Sequence, residues 1–245
     1  MCELLGINSN IPTEVNDSLS IFRKRGGELG DHVDGWGIAF YEGRSSRIFK
    51  EEMPAAESLC FEFISNYNFH SEIVVAHIRK ATQNIENCVA NTHPFEREFL
   101  GRSFVFAHNG ELPDIMTHDD FKLKWYFPKG ETDSEYTFCF MMDRLRDWFS
   151  QSDSFFSKAK LHQISRKIAE LGRFNFLFSD SNFLIAYNDH RDDDELHYVL
   201  RECPCGEDDT TQYVAVVATN PTTDNEDWVK MKLDEMVVFY RGKIQ

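Results

Sequence analysis

The chain has 245 residues, 42% of them hydrophobic and 22 of them Phe, enough to bury a sizeable core in one large or two small domains. Its 26 Lys and Arg against 41 Asp and Glu give a formal charge of −15 with no basic run, which argues against nucleic acid or an anionic membrane as partner and favours a small polar substrate. The N-terminus has no charged region leading into an apolar core, no run long enough to span a membrane occurs, and the six Cys are scattered, so a cytoplasmic protein with reduced thiols is expected.

In chain order, the apolar run Cys2-Glu3-Leu4-Leu5-Gly6-Ile7 opens a strand over residues 2 to 8. A helical pattern follows from Asp17 through Leu19 and Phe22, stopping at Gly26-Gly27. After a flexible loop, Glu28 to Val33, Asp34-Gly35-Trp36-Gly37 leads into a hairpin of Ile38 to Tyr41 and Arg47 to Phe49 around Glu42-Gly43. The glycines flanking Trp36 predict a close backbone approach. Residues 55 to 66 read as a second helix, and Ile73 to Ile78 and Phe104 to Ala107 as buried strands. Between those two strands a polar loop holds Arg79, Thr82, Asn91 and His93, and residues 113 to 130 read as irregular.

From Thr132 a strong helix begins, with Phe138, Met141, Met142, Leu145, Trp148 and Phe149 on one face. Thr132 and Glu135 have capping-box spacing. Another helix covers 157 to 171 and ends at Gly172. Strands then dominate: a hairpin of Phe174 to Phe178 and Phe183 to Tyr187, then His197 to Arg201, Tyr213 to Ala218 and Met236 to Tyr240. Asp189 to Glu195 and Glu207-Asp208-Asp209 read as solvated loops. With no repeat or linker, one domain over residues 1 to 245 is expected, in the α+β class, as two antiparallel sheets with helices packed outside. Cys203-Pro204-Cys205 lacks a second ligand pair, and neither a metal nor a cofactor is expected.

Cys2 has two readings. It starts a buried strand, or, once Met1 is trimmed from this small second residue, it carries a thiol and a free α-amine together. An α-amine titrates near ~8 and a thiol near ~8.5, so such an amine can take the thiol proton at neutral pH and make Cys2 a nucleophile. Four polar clusters at strand ends or helix starts bear on the choice: Arg79 with Thr82; Asn91 with His93-Pro94-Phe95; His108-Asn109-Gly110-Glu111; and Gly130 to Glu135. Each alone has an ordinary role, as ion pair, turn or helix start. Together with Cys2 they supply what hydrolysis of an amino-acid side-chain amide needs. Arg79 suits an α-carboxylate and Asp133 an α-ammonium. The Asn109 amide and the Gly110 N–H suit an oxyanion, where losing one donor costs ~3 kcal/mol.

These residues fall in six motifs: Cys2; Asp34-Gly35-Trp36-Gly37; Ala76 to Thr82; Asn91-Thr92-His93-Pro94-Phe95; Ala107-His108-Asn109-Gly110; and Glu131 to Glu135. In that order the sequence resembles the class II glutamine amidotransferases of the N-terminal-nucleophile hydrolase superfamily. The region Ala218 to Trp228 resembles the short, stand-alone members. The resemblance implies a four-layer α/β/β/α sandwich and a γ-glutamyl thioester on Cys2, with release of ammonia and then glutamate. It implies Asn109 and Gly110 as the oxyanion hole, Arg79 with Thr82 on the α-carboxylate and Asp133 on the α-amine, with His93 also placed among the substrate-binding residues. Larger members carry an acceptor domain for the ammonia. None is recognisable here, so a separate acceptor or synthase subunit, or plain hydrolysis, is expected. A γ-glutamyl amide or peptide as substrate, and a glutamine sensor without turnover, stand as alternatives.

Overall fold

The computed structural model describes all residues except 1, 82–84, 153–156, 190–194 and 206–209. In chain order its strands are β1 (Glu3–Glu14), β2 (Trp36–Glu42), β3 (Ser45–Glu51), β4 (His70–Ile78), β5 (Phe95–Phe99), β6 (Arg102–Glu111), β7 (Arg173–Ser179), β8 (Phe183–Asn188), β9 (His197–Cys205), β10 (Thr210–Ala218), β11 (Val229–Lys230), β12 (Glu235–Tyr240) and β13 (Lys243–Ile244). The helices are α1 (Asn16–Arg25), α2 (Leu59–Asn66), α3 (Asp133–Ser152) and α4 (Lys158–Ala169). The described strands pair antiparallel into two sheets, β11-β9-β10-β1-β4-β2-β3 and β13-β12-β8-β7-β6-β5.

Side-chain alternation along the strands builds three apolar layers. Between the sheets lie small aliphatic groups, among them Leu4, Val75, Val105, Ala107, Leu177 and Val217. The opposite face of the first sheet, with Leu5, Ile7, Val74 and Ala76, buries Leu19, Phe22, Phe61 and Ile64 from α1 and α2. The outer face of the second sheet is aromatic: Phe104, Phe106, Phe174, Phe176 and Phe178 meet Phe138, Met141, Met142 and Leu145 of α3 and Leu161 of α4. Each such buried side chain contributes ~1.5–3 kcal/mol of apolar transfer, which is how a chain of this charge stays compact. The expected α/β/β/α sandwich is therefore present.

Four local expectations are corrected. Residues 55 to 66 do not form one helix: a 3-10 turn, Ala55–Glu57, is followed by a break at Ser58, whose hydroxyl caps α2 by accepting from Phe61 N–H at 2.9 Å. The segment before Phe104 is not all loop, because β5 pairs with β6 from Phe95↔Phe106 to Phe99↔Arg102. The capping box is half made: Thr132 Oγ1 accepts from Glu135 N–H at 3.1 Å, but the Glu135 carboxylate turns to Lys129 and Gly130 N–H and to Arg97 instead. Asp189 and Glu195, expected in a solvated loop, are buried, the first accepting from Phe174 N–H and the second paired with Lys230. The Glu207-Asp208-Asp209 patch lies outside the described residues.

Candidate active site

Strand alternation carries the key side chains to one end of the inter-sheet layer. Leu4 belongs to that layer, so Cys2, two residues earlier, continues its side of β1. Val105 and Ala107 do the same for Asn109 on β6, and Val75 for His77 and, past the strand end, Arg79. The pairing Glu3↔Ile78 sets Cys2 beside the chain leaving β4. Its Sγ accepts from Lys80 N–H at 3.3 Å and lies 3.5 Å from Lys80 O. Cys2 N–H donates to Asn109 Oδ1 at 2.9 Å.

That contact uses only the oxygen of the Asn109 amide. Its Nδ2 is buried with no hydrogen-bond partner. A buried unmade donor costs ~1–3 kcal/mol, so one placed beside a cysteine awaits an acceptor that arrives with a ligand. Gly110 is necessary for a steric reason: a Cβ there would lie 2.0 Å from Arg173 O, where β6 meets β7. Burial pushes the Cys2 thiol above its ordinary pKa, with Lys80 N–H and the Arg79 charge opposing but not reversing the shift. At neutral pH Cys2 is therefore a thiol, and nucleophilic use of it requires a base.

One pocket is lined by Cys2, Arg79, His93, Gly110 and Asp133. Arg79 is buried and held from behind: Nη1 donates to Asn87 Oδ1 at 2.6 Å and to Asp34 O at 3.4 Å. Asp34 also accepts from Ala81 N–H at 2.8 Å and from Asn87 Nδ2 at 3.2 Å, which folds the loop after β4 over the guanidinium. Asp133 opens α3 and its carboxylate accepts from Leu112 N–H at 2.6 Å and Ser134 N–H at 2.7 Å. Those bonds fix the carboxylate at the start of α3 on the pocket wall. Asn91 links the walls, its Oδ1 accepting from Glu131 N–H at 2.8 Å and its Nδ2 donating to Glu86 O at 3.0 Å.

Beneath the pocket sit three buried histidines. The His93 ring packs 4.2 Å from that of His77 and 4.4 Å from Phe95, and neither of its nitrogens has a partner. His108 Nε2 faces Arg173 O at 3.0 Å and its Nδ1 faces Ser134 Oγ at 2.8 Å. A carbonyl only accepts, so the neutral His108 ring carries its proton on Nε2, and its Nδ1 is a hydrogen-bond acceptor for the Ser134 hydroxyl, which also lies 3.2 Å from Asp133 Oδ1. Burial lowers the pKa of all three, His77 to about 3. They are neutral, shape-filling groups at physiological pH.

Of the residues singled out in the sequence, Cys2, Arg79, His93, Asn109, Gly110 and Asp133 thus share one site, while Thr82 and Met1 lie outside the described residues. Sequence reading missed Asp34 and Asn87 as supports of Arg79, and His77, His108 and Ser134 as the floor. Polar residues inside apolar strand runs, as in Ala76-His77-Ile78 and Ala107-His108, were the available signal. Among the described residues no cluster of metal-ligating side chains occurs, and no helix is long and apolar enough to cross a membrane.

A cysteine, an amide, a guanidinium and a carboxylate converge at one end of a two-sheet sandwich, and comparison with known proteins identifies the family. The family model described as "Glutamine amidotransferases class-II" matches residues 1–245, and the chain belongs to that family. Relatives in Haemophilus influenzae and Escherichia coli, both named "Putative glutamine amidotransferase", are 39% identical over 259 residues (99% of this chain, 85% of the relative) and 35% identical over 260 residues (99% of each). The crystal structure of a "predicted glutamine amidotransferase" from Pseudomonas aeruginosa is 32% identical, covers 99% of each chain and superposes with a TM-score of 0.70. Glutamine phosphoribosylpyrophosphate amidotransferase from Bacillus subtilis, 18% identical and matched over 100% of this chain but 48% of its own, shares the fold with a TM-score of 0.65.

Proposed function

We propose that the chain works as a single catalytic unit that hydrolyses the side-chain amide of glutamine through Cys2, with Met1 removed. The observation that carries this is the buried, unpartnered Asn109 Nδ2 beside Cys2, in a site that also presents Arg79 and Asp133. Arg79 pairs with the substrate α-carboxylate and Asp133 with its α-ammonium, so glutamine is gripped at its amino-acid end and its γ-amide reaches Cys2. His93 closes the pocket floor against the substrate chain.

The freed α-amine of Cys2, held by Asn109 Oδ1, accepts the thiol proton. Sγ then bonds to the γ-carbonyl carbon, and the carbonyl electrons move to oxygen, where Asn109 Nδ2 and the Gly110 N–H donate to the oxyanion. As the oxyanion collapses the C–N bond breaks, and the ammonium returns the proton to the leaving nitrogen, giving ammonia and a γ-glutamyl thioester. Water, deprotonated by the same amine, attacks the thioester carbon. The C–S bond breaks, the thiol recovers its proton and glutamate leaves. The ammonia passes to an acceptor held by another subunit or to solvent. We place the reaction in the cytoplasm, in keeping with free thiols at Cys2, Cys60, Cys88, Cys139 and Cys203.

Ammonia release from glutamine by the trimmed protein tests this. Cys2→Ala is expected to abolish turnover while retaining glutamine binding, and Asp133→Ala to weaken binding ~10- to 100-fold, the worth of a charge-assisted hydrogen bond. Turnover at the wild-type rate by Cys2→Ala removes the nucleophile assignment.

A further inference from the structure

Behind the Asn91–Pro94 wall of the site lies a second pocket of about 530 Å³. Alternate residues of that wall face each side: Asn91 and His93 line the first pocket, Ala90 and Pro94 the second. The volume falls in the range of small-molecule sites, ~300–1,000 Å³. In a chain of charge −15, three cations line this one pocket, Lys50, Arg97 and Lys129, against two acids, Glu96 and Glu135.

Their partners separate them. Arg97 and Glu135 neutralise each other at 2.6 Å. The Glu96 carboxylate is occupied by the hydroxyls of Ser46 and Ser103. Lys50, reaching in from β3, donates to Thr92 O at 2.8 Å and lies 5.5 Å from the centre of the Phe95 ring, and it makes no ion pair among the described residues. The Lys129 ammonium has no partner among them either. A partly buried ammonium satisfied by one neutral carbonyl is a costly arrangement that an anion relieves. Burial lowers the Lys50 pKa to about 8, and the Glu135 carboxylate opposes that shift without reversing it.

We propose that this pocket binds a small phosphate ester, its phosphate between Lys50 and Lys129 and its organic part against Ile48, Val89 and Pro94. With Arg97 paired to Glu135, Lys50 and Lys129 outnumber the one remaining carboxylate, Glu96, so the pocket keeps a net positive charge that favours an anion, and the apolar wall favours an ester over free phosphate. Lys50 is bonded to the carbonyl of Thr92, the neighbour of His93, so a ligand there touches the back of the wall that shapes the first pocket. The inference does not rest on the glutamine reaction, because its test reads binding alone.

The experiment is calorimetric titration of the full chain with glycerol 3-phosphate, inorganic phosphate and glycerol at physiological ionic strength. Saturable one-to-one binding of glycerol 3-phosphate is expected, tighter than inorganic phosphate, with none for glycerol. Lys50→Met should weaken it at least ~10-fold and Lys50→Arg should largely preserve it, as charge-assisted hydrogen bonds require. Lys129→Met, at an exposed side chain that leaves folding intact, should weaken it several-fold. Absence of saturable binding, or unchanged affinity in both methionine variants, overturns the site; inorganic phosphate binding as tightly as the ester overturns the organic half.

Discussion

Asn109 does two jobs with one amide. Its oxygen fixes the Cys2 nitrogen at 2.9 Å, and its nitrogen is left buried and unbonded beside the thiol. If that nitrogen is the oxyanion donor, Asn109→Ala lowers kcat ~100-fold or more with KM nearly unchanged, because the bond forms only in the transition state. A KM-only effect in steady-state kinetics would make Asn109 a ground-state contact instead. The candidates Cys2, Arg79, Asn109, Gly110 and Asp133 were legible in the sequence because each sits in a short motif whose chemistry is local. Asp34 and His108 stood in the same motifs, but their roles, like that of Asn87, were not legible, since what they do depends on partners far along the chain, as when Asp34 accepts from Ala81 N–H and His108 meets Ser134 and Arg173.

At the scale of elements, α3 organises more than its apolar face suggests. Asp143 is fully buried and accepts from the N–H groups of Lys124, Trp125 and Tyr126 at 2.6, 3.0 and 3.2 Å, while Glu135 binds those of Lys129 and Gly130. The segment 113–130, expected to be irregular and found so apart from a 3-10 turn at Asp119–Phe121, is thus shaped by two carboxylates on one helix. Asp143→Ala removes the shared acceptor of three partly buried N–H groups, and a loss of about 3 kcal/mol is expected in denaturant unfolding. A loss under ~0.5 kcal/mol, the scale of a surface change, would show that water replaces the carboxylate there. Periodicity exposed α3 because its buried stripe is long. It hid β5, whose Phe95-Glu96-Arg97-Glu98-Phe99 carries three charges, which an edge strand tolerates on its open side. It also ran α2 back to residue 55, because the break rests on the Ser58 hydroxyl rather than on a Gly or Pro.

For the whole molecule, three buried neutral histidines, His77 and His93 packed on each other and His108 against Phe106, Phe174 and Ser134 of α3, tie stability to pH. Their folded pKa values lie below the unfolded value of ~6.5, so the unfolded chain binds more protons below that pH and stability falls as acid is added. Unfolding free energy should therefore drop from pH 7 to pH 5, and His77→Gln should flatten the profile by up to ~1.4 kcal/mol per pH unit, one proton's worth. Parallel profiles for variant and wild type would mean that His77 titrates normally. The sandwich itself was legible as strands, helices and strands again, since alternation and helical periodicity report which faces are covered. Which ends of the two sheets meet was not, because register between β1, β4 and β6 is a property of packing, and the site exists only where those ends coincide. The central claim, that Cys2 is a nucleophile in a glutamine-shaped pocket, is tested most directly by intact mass of the purified protein before and after 6-diazo-5-oxo-norleucine, a reactive glutamine analogue. Loss of Met1 and a single covalent adduct mapped to Cys2, absent in Cys2→Ala, is the predicted result; a trimmed chain that stays unmodified would contradict it.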